Sequence, residues 1–277
     1  DGMKKTRSAA APFGVWMTLF TLVPLGIVLW FAFTDKEGRF TVQNLSAILD
    51  YAGTFGLSIG LGAVATVVCL LLAYPLAYSI SRSGERVQRT MVMIIMLPMW
   101  MNFLLRTYAW MTLLEDNGLI NQFFRLLGLL GPEESLHMIN TNGAVVLGMV
   151  YNFLPFMVLP IFSVIEKLDH RLIEAAQDLG ANSTQVFRRV IFPLSLPGVL
   201  SGVTMVFIPS VSTFVISRLL GGGKSLLLGD LIEMQFLGSA YNPHLGSAIS
   251  LVMMVIVLVS MGIMNRFGEG EGEAVVL

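Results

Sequence analysis

Six stretches of about twenty mostly apolar residues run along the chain, and the segments between them hold nearly all of its charge. A hydrocarbon core about 30 Å thick needs about 20 residues of helix to cross it, at about 1.5 Å of rise per residue. The pattern predicts spans at 12–33, 57–80, 91–114, 143–165, 198–217 and 246–264. Backbone amides have no water to bond in hydrocarbon, so each span must satisfy its own as a helix. The expected fold is therefore all-α, a polytopic membrane protein forming one domain over 1–277. The first stretch also follows a basic N-terminus, as a signal peptide would. Its apolar core exceeds a signal h-region and no A-x-A site follows, so it reads as an uncleaved span.

Composition narrows the classes. Of 277 residues, 55% are hydrophobic and 13% charged, against about 25% charged in soluble domains. That excludes a disordered chain, a nucleic-acid binder and an ordinary cytosolic enzyme. The 18 acidic and 17 basic residues nearly cancel, and the single cysteine, Cys69, excludes a disulfide framework and a thiolate metal site.

Placement of the charges is more informative than their sum. Lys4, Lys5, Arg7, Arg82, Arg86, Arg89, Lys167, Arg171, Arg188, Arg189 and Arg266 fall on one side of the predicted membrane. Lys36, Arg39, Arg125, Arg218 and Lys224 fall on the other. The positive-inside rule then puts both termini in the cytoplasm. Short amphipathic surface helices are expected at 119–127 and 226–236, as plain connections or as docking points for a partner.

The segment between the fourth and fifth spans lies on the basic side and reads as two short helices. Asp169 is a suitable N-cap, Gly180 a suitable C-terminal stop, Ser183 a second cap and Pro193 a terminator. Leu172, Ala175, Ala176 and Leu179 recur at i, i+3, i+4, i+7 and predict one flat apolar face, suited to a groove on another protein. Glu174-Ala175-Ala176, three residues, Gly180, nine residues and then Val190-Ile191-Phe192-Pro193 resemble the EAA loop of ABC importer permeases. That pattern is EAA-x3-G-x9-I-x-L-P, and Val190 and Phe192 keep its apolar character.

The resemblance extends from the first span to the sixth. Segments 97–108, 151–160 and 207–216 look most like the polyamine (spermidine/putrescine) branch and its B-type permease. It implies the type I ABC importer permease fold and a non-enzymatic subunit supplying half of a translocation pathway in a bacterial inner membrane. Implied partners are a C-type second permease, two ATPase subunits and an external polyamine-binding protein, besides membrane lipid and without nucleic acid. ATP and Mg would be bound by the ATPase, with no cofactor in this chain. Glu174, Ala175, Ala176, Asp178, Leu179, Gly180 and Pro193 would form the coupling element. The chain departs from the branch at Arg218, where an acidic residue often precedes Leu-Leu-Gly-Gly.

Candidate pathway residues follow from the cost of polar groups in hydrocarbon. Arg106 stands out. Asn102 and Arg106 share a helical face by their i, i+4 spacing, while Trp100 and Tyr108 do not share one face. Tyr151 and Asn152 sit above Pro155 and Pro160, and Ser212 and Thr213 follow Pro209. Either pore lining or packing between helices accounts for these groups. Glu115, Asp116, Asp230 and Glu233 are expected outside the membrane, as collectors of a cationic solute or as solvated loop charge. Gly56/Gly60 and Gly198/Gly202 permit close helix contact.

Other chemistries find little support. Gly221–Ser225 ends like a P-loop, but the first glycine of that motif would fall on Arg218. His137, His170 and His244 lack metal-ligand spacing. Two alternatives stand beside a polyamine permease: a related importer for another small solute, and a secondary transporter acting alone. The latter calls for a buried acidic site, and no predicted span has Asp or Glu in its apolar core.

Overall fold

The computed structural model describes residues 12–272 except 132, 225 and 239. Lys4, Lys5, Arg7 and Ser225, named above, lie outside the described residues. The principal helices are α1 (Pro12–Ala32), α2 (Ala52–Ser81), α3 (Glu85–Trp100), α4 (Phe103–Leu114), α5 (Leu119–Leu126), α6 (Asn142–Glu166) and α7 (His170–Asp178). They continue as α8 (Ser183–Ser212), α9 (Val215–Gly221), α10 (Leu228–Leu237) and α11 (Pro243–Gly272). Among the described residues the only β pairing is an isolated bridge, Thr34 with Phe40.

The six expected spans appear as five continuous helices and one bent pair. The third span, predicted as one helix over 91–114, is broken: α3 stops at Trp100, and α4 leads into α5 at 91° to it. Met101 is extended at ψ 149°, and Asn102 caps α4 by accepting from the Leu104 and Leu105 amides at 2.8 and 3.4 Å. Pro98 within α3 weakens that helix just upstream, and an Asn followed by an apolar run is a helix-start signal. The fifth span also ends early. Thr213 leaves the helix at ψ 144°, and α9 begins two residues later.

The chain divides into two compact units. One holds the described residues up to Gly53 with Leu231–Val257. Within it, the Asn44 amide donates to the Ala32 and Thr34 carbonyls, and His244 Nδ1 donates to the Phe31 carbonyl at 3.1 Å. The other holds Thr54–Asp230 with the described residues from Leu258 onward and contains most of the core.

The core of the second unit is built on α6 and α8. Gly198 lies where an added Cβ would come within 2.8 Å of the Pro160 carbonyl and 3.1 Å of Ile161 Cα. At Gly202 it would meet Met157 Cα at 3.2 Å. These contacts are with backbone, which cannot swing aside. Val199 and Val206 of α8 and Met157, Val158 and Ile161 of α6 are buried around them. Gly198→Leu is therefore expected to prise the two helices apart and destabilise the chain by at least about 1–3 kcal/mol, the usual cost of overpacking. A drop in thermal unfolding temperature in detergent checks this. Gly56 and Gly60 behave differently: among the described residues nothing beyond their own helix turn lies within 4 Å of a Cβ placed on either, so they are not a packing seam within the described residues.

Candidate functional site

The EAA-like segment forms a helix standing on the core. Asp169 caps α7 by accepting from the Arg171 amide at 3.0 Å. At the other end Gly180 adopts φ +83°, its amide bonds the Gln177 carbonyl at 2.8 Å, and the Ala181 amide bonds the Ala176 carbonyl at 3.0 Å. This left-handed closure favours glycine. The expected apolar face is split. Ile173 and Ala176 turn inward against the core, whereas Leu172, Ala175 and Leu179 point outward beside Glu174 and Asp178. Leu179 is 89% exposed. An exposed strip of this kind on a helix held from beneath suits docking.

The link onward differs from expectation at two points. Asn182, not Ser183, caps α8, in a reciprocal capping box with Gln185 at 2.9 Å each way. Pro193 does not end the helix. The Phe192 amide reaches back to the Phe187 carbonyl in a π turn over Phe187–Ile191, and the helix continues to Ser212. Proline sits at the start of the α-helical stretch after that wide turn, where its missing donor matters least.

Above the π turn is an aromatic cluster that sequence reasoning missed. Tyr74 packs on Phe187 and Phe192 with centroids 5.8 Å away, and Tyr78 packs on Phe187 at 5.5 Å. The Tyr74 hydroxyl bonds Ser195 Oγ at 2.8 Å. These contacts join the EAA-like segment to α2. Residues more than 100 positions apart carry no local signal of such a contact.

The broken span rearranges the pathway candidates. Asn102 is a cap and exposed, so its side chain does not line up with that of Arg106 as one continuous helix would require. Trp100 and Tyr108 are exposed on the two sides of the break. Arg106 is only 8% exposed, and its Nε and Nη1 are buried without a hydrogen-bond partner. Tyr151 is half-buried and packs edge-on against Trp110 at 5.3 Å, joining α6 to α4. Asn152 donates to the Gly148 carbonyl at 2.9 Å, and its buried Oδ1 has no partner. Ser212 bonds back to the Ile208 carbonyl.

The acidic candidates separate by environment. Glu115 is exposed, and Asp116 bonds His137 Nδ1 at 3.0 Å. Glu233 is half-buried. Asp230 is no solvated loop charge: it is 5% exposed, with Oδ2 accepting from Ser217 Oγ at 2.6 Å and the Leu227 amide at 3.1 Å. The expected surface helix at 226–236 is likewise buried over its first residues, Leu227, Leu228 and Leu231. Among the described residues no cluster of His, Cys, Asp and Glu could hold a metal.

Residues 70–269 match the family described as binding-protein-dependent transport system inner membrane component. The chain is 38% identical over 249 residues to the spermidine/putrescine transport system permease protein PotB of Haemophilus influenzae, covering 87% of this chain and 86% of that protein. It is 35% identical to PotB of Escherichia coli K12 over 257 residues, 90% of this chain and 91% of that one. Among solved structures it resembles a chain of a bacterial ABC transporter that imports the acidic polysaccharide alginate. The TM-score is 0.81 at 16% identity, covering 95% of this chain and 94% of that one, a likeness of fold.

Proposed function

The chain belongs to the family of binding-protein-dependent transport system inner membrane components, and from that premise we propose that it carries polyamines as one permease of an ATP-driven importer. As a member it is a non-catalytic membrane subunit. Two relatives of known name at 35–38% identity, each covered nearly end to end, support spermidine or putrescine as the solute. The observation that carries the coupling role is the exposed strip of Leu172, Ala175 and Leu179 on a helix whose other face is fixed in the core.

In this reading the strip docks on one of two ATPase subunits, which bind ATP and Mg. Glu174, Asp178 and Gly180 complete the contact, and Pro193 lies beyond the π turn. A C-type permease supplies the other half of the pathway, and an external binding protein delivers the solute. The cytoplasmic position of α7 follows from the basic residues Lys167, Arg171, Arg188 and Arg189 around it. Both termini then lie in the cytoplasm.

The reconstituted importer tests the solute. ATP hydrolysis should rise when the binding protein is loaded with spermidine or putrescine, and not with an amino acid or a neutral sugar. Equal stimulation by all of these would defeat the polyamine assignment.

A further inference from the structure

Arg106 presents a buried cation with no ion-pair or hydrogen-bond partner for its Nε and Nη1 among the described residues. It lies on the first turn of α4, just past the 91° break in the third span. Its guanidinium is covered well enough that Nε and Nη1 have essentially no contact with solvent, yet neither donates a hydrogen bond. Neither the Arg39–Glu37 nor the His137–Asp116 ion pair involves Arg106. The nearest compensation is the Phe103 ring, with its centroid 5.9 Å from Cζ, near the outer limit of a cation–π contact. The apolar cores of the spans hold no Asp or Glu. A charge buried this way costs several kcal/mol unless paired.

The surroundings point to where the pair comes from. Leu104, Leu105 and Tyr108 are exposed around Arg106, as are Trp100 and Met101 across the break, so an uncovered apolar surface surrounds a single cation. A lipid headgroup site gathers several Lys or Arg at the membrane surface; this one has a lone guanidinium sunk among leucines and aromatics. That suits a protein partner bringing one carboxylate into an apolar contact, where Arg makes its strongest, bidentate bonds. Of the other basic residues predicted outside the membrane beyond this span, Arg125 lies on α5, Arg218 on α9 and Lys224 in the loop after α9, none of them on α4.

We propose that the broken third span is a contact surface for the second permease, and that Arg106 is its electrostatic anchor, receiving an Asp or Glu carboxylate from that subunit. The inference rests on the two-permease reading above. It also bears on a cationic solute, because an unpaired guanidinium here would repel it whereas a paired one would not.

The test compares Arg106→Leu, Arg106→Lys and the unchanged chain, alone and in the assembled importer without solute. Alone in detergent, Arg106→Leu should melt at the same temperature as the parent or higher, because it removes an unpaired charge. In the importer, retention of the second permease should fall about a hundredfold, as expected when one partner of a buried pair is lost. Arg106→Lys should restore part of it. Undiminished retention by Arg106→Leu overturns the proposal. So does an equal loss of stability in the isolated chain, which would mark a purely internal role. Retention that follows the anionic lipid content of the bilayer, whatever occupies position 106, would assign the surface to a headgroup instead. Failure of the parent chain to hold any second permease would overturn the two-permease reading itself.

Discussion

Leu179→Asp is expected to abolish uptake while leaving the permease inserted and folded. The side chain is 89% exposed, so the substitution removes almost no contact within the chain. Its effect must come from whatever covers that position. Burying a leucine is worth about 1.5–3 kcal/mol, and forcing an aspartate into the same apolar contact adds a desolvation cost. ATPase association should weaken at least about a hundredfold, at about 1.4 kcal/mol per factor of ten. Co-purification of the ATPase with the permease, beside solute uptake in vesicles, reads both consequences. Normal uptake by Leu179→Asp would remove the coupling role from α7.

Gly180 gives the same prediction a conformational arm. Its φ of +83° costs a β-branched residue about 1–2 kcal/mol, while Asn visits this region more readily. No neighbour lies within 4 Å of a Cβ there, so steric crowding plays no part. Gly180→Val should open the turn that closes α7 and cut uptake at least about tenfold. Gly180→Asn should keep most of it. Equal loss in both variants would mean that glycine is needed for space at a docked interface rather than for its dihedral freedom.

The parts of the fold legible in sequence were those encoded locally. Span positions follow from apolar length, and Asp169 and Gly180 from cap chemistry, because each depends on a few consecutive residues. The break at Met101–Asn102 was obscured by a run of apolar residues on both sides of it, which a hydropathy window reads as one helix. Asn102 and Pro98 hold the signal, because Asn ahead of an apolar run caps a helix and proline weakens the one before it. The π turn escaped for a related reason: Pro193 ordinarily terminates a helix, and only a wide turn just before it lets the helix run on. The splitting of the apolar face of α7 could not be read from periodicity. Alanine suits either side of a helix, and Ala176 differs from Ala175 only in facing the core across tertiary space.

A carboxylate near a glycine-rich stretch resembles solvated loop, yet Asp230 is buried. Its actual role predicts a sharp ordering of variants. It is the third residue of α10, and it accepts the amide of Leu227, the residue before that helix, as the acidic half of a capping box. The Ser217 hydroxyl converges on the same oxygen, while the neighbouring Leu228 amide is taken by Ser58 Oγ at 2.8 Å. The turn they secure lies directly on the end of α8, where a Cβ on Gly229 would meet the Ser212 and Thr213 carbonyls at 2.5 and 2.6 Å. Asp230→Ala strands the buried Leu227 amide, at about 1–3 kcal/mol, and leaves the Ser217 hydroxyl only its 2.9 Å bond to the Phe214 carbonyl. Thermal unfolding in detergent should therefore fall steeply and uptake with it. Asp230→Asn places an amide oxygen where both donors converge and should cost far less. A cation-collecting role requires the opposite pattern, with both variants stable and both equally defective in uptake, since each removes the charge. The separation of Asn from Ala in unfolding temperature thus decides whether the oxygen at this position serves the fold or the solute.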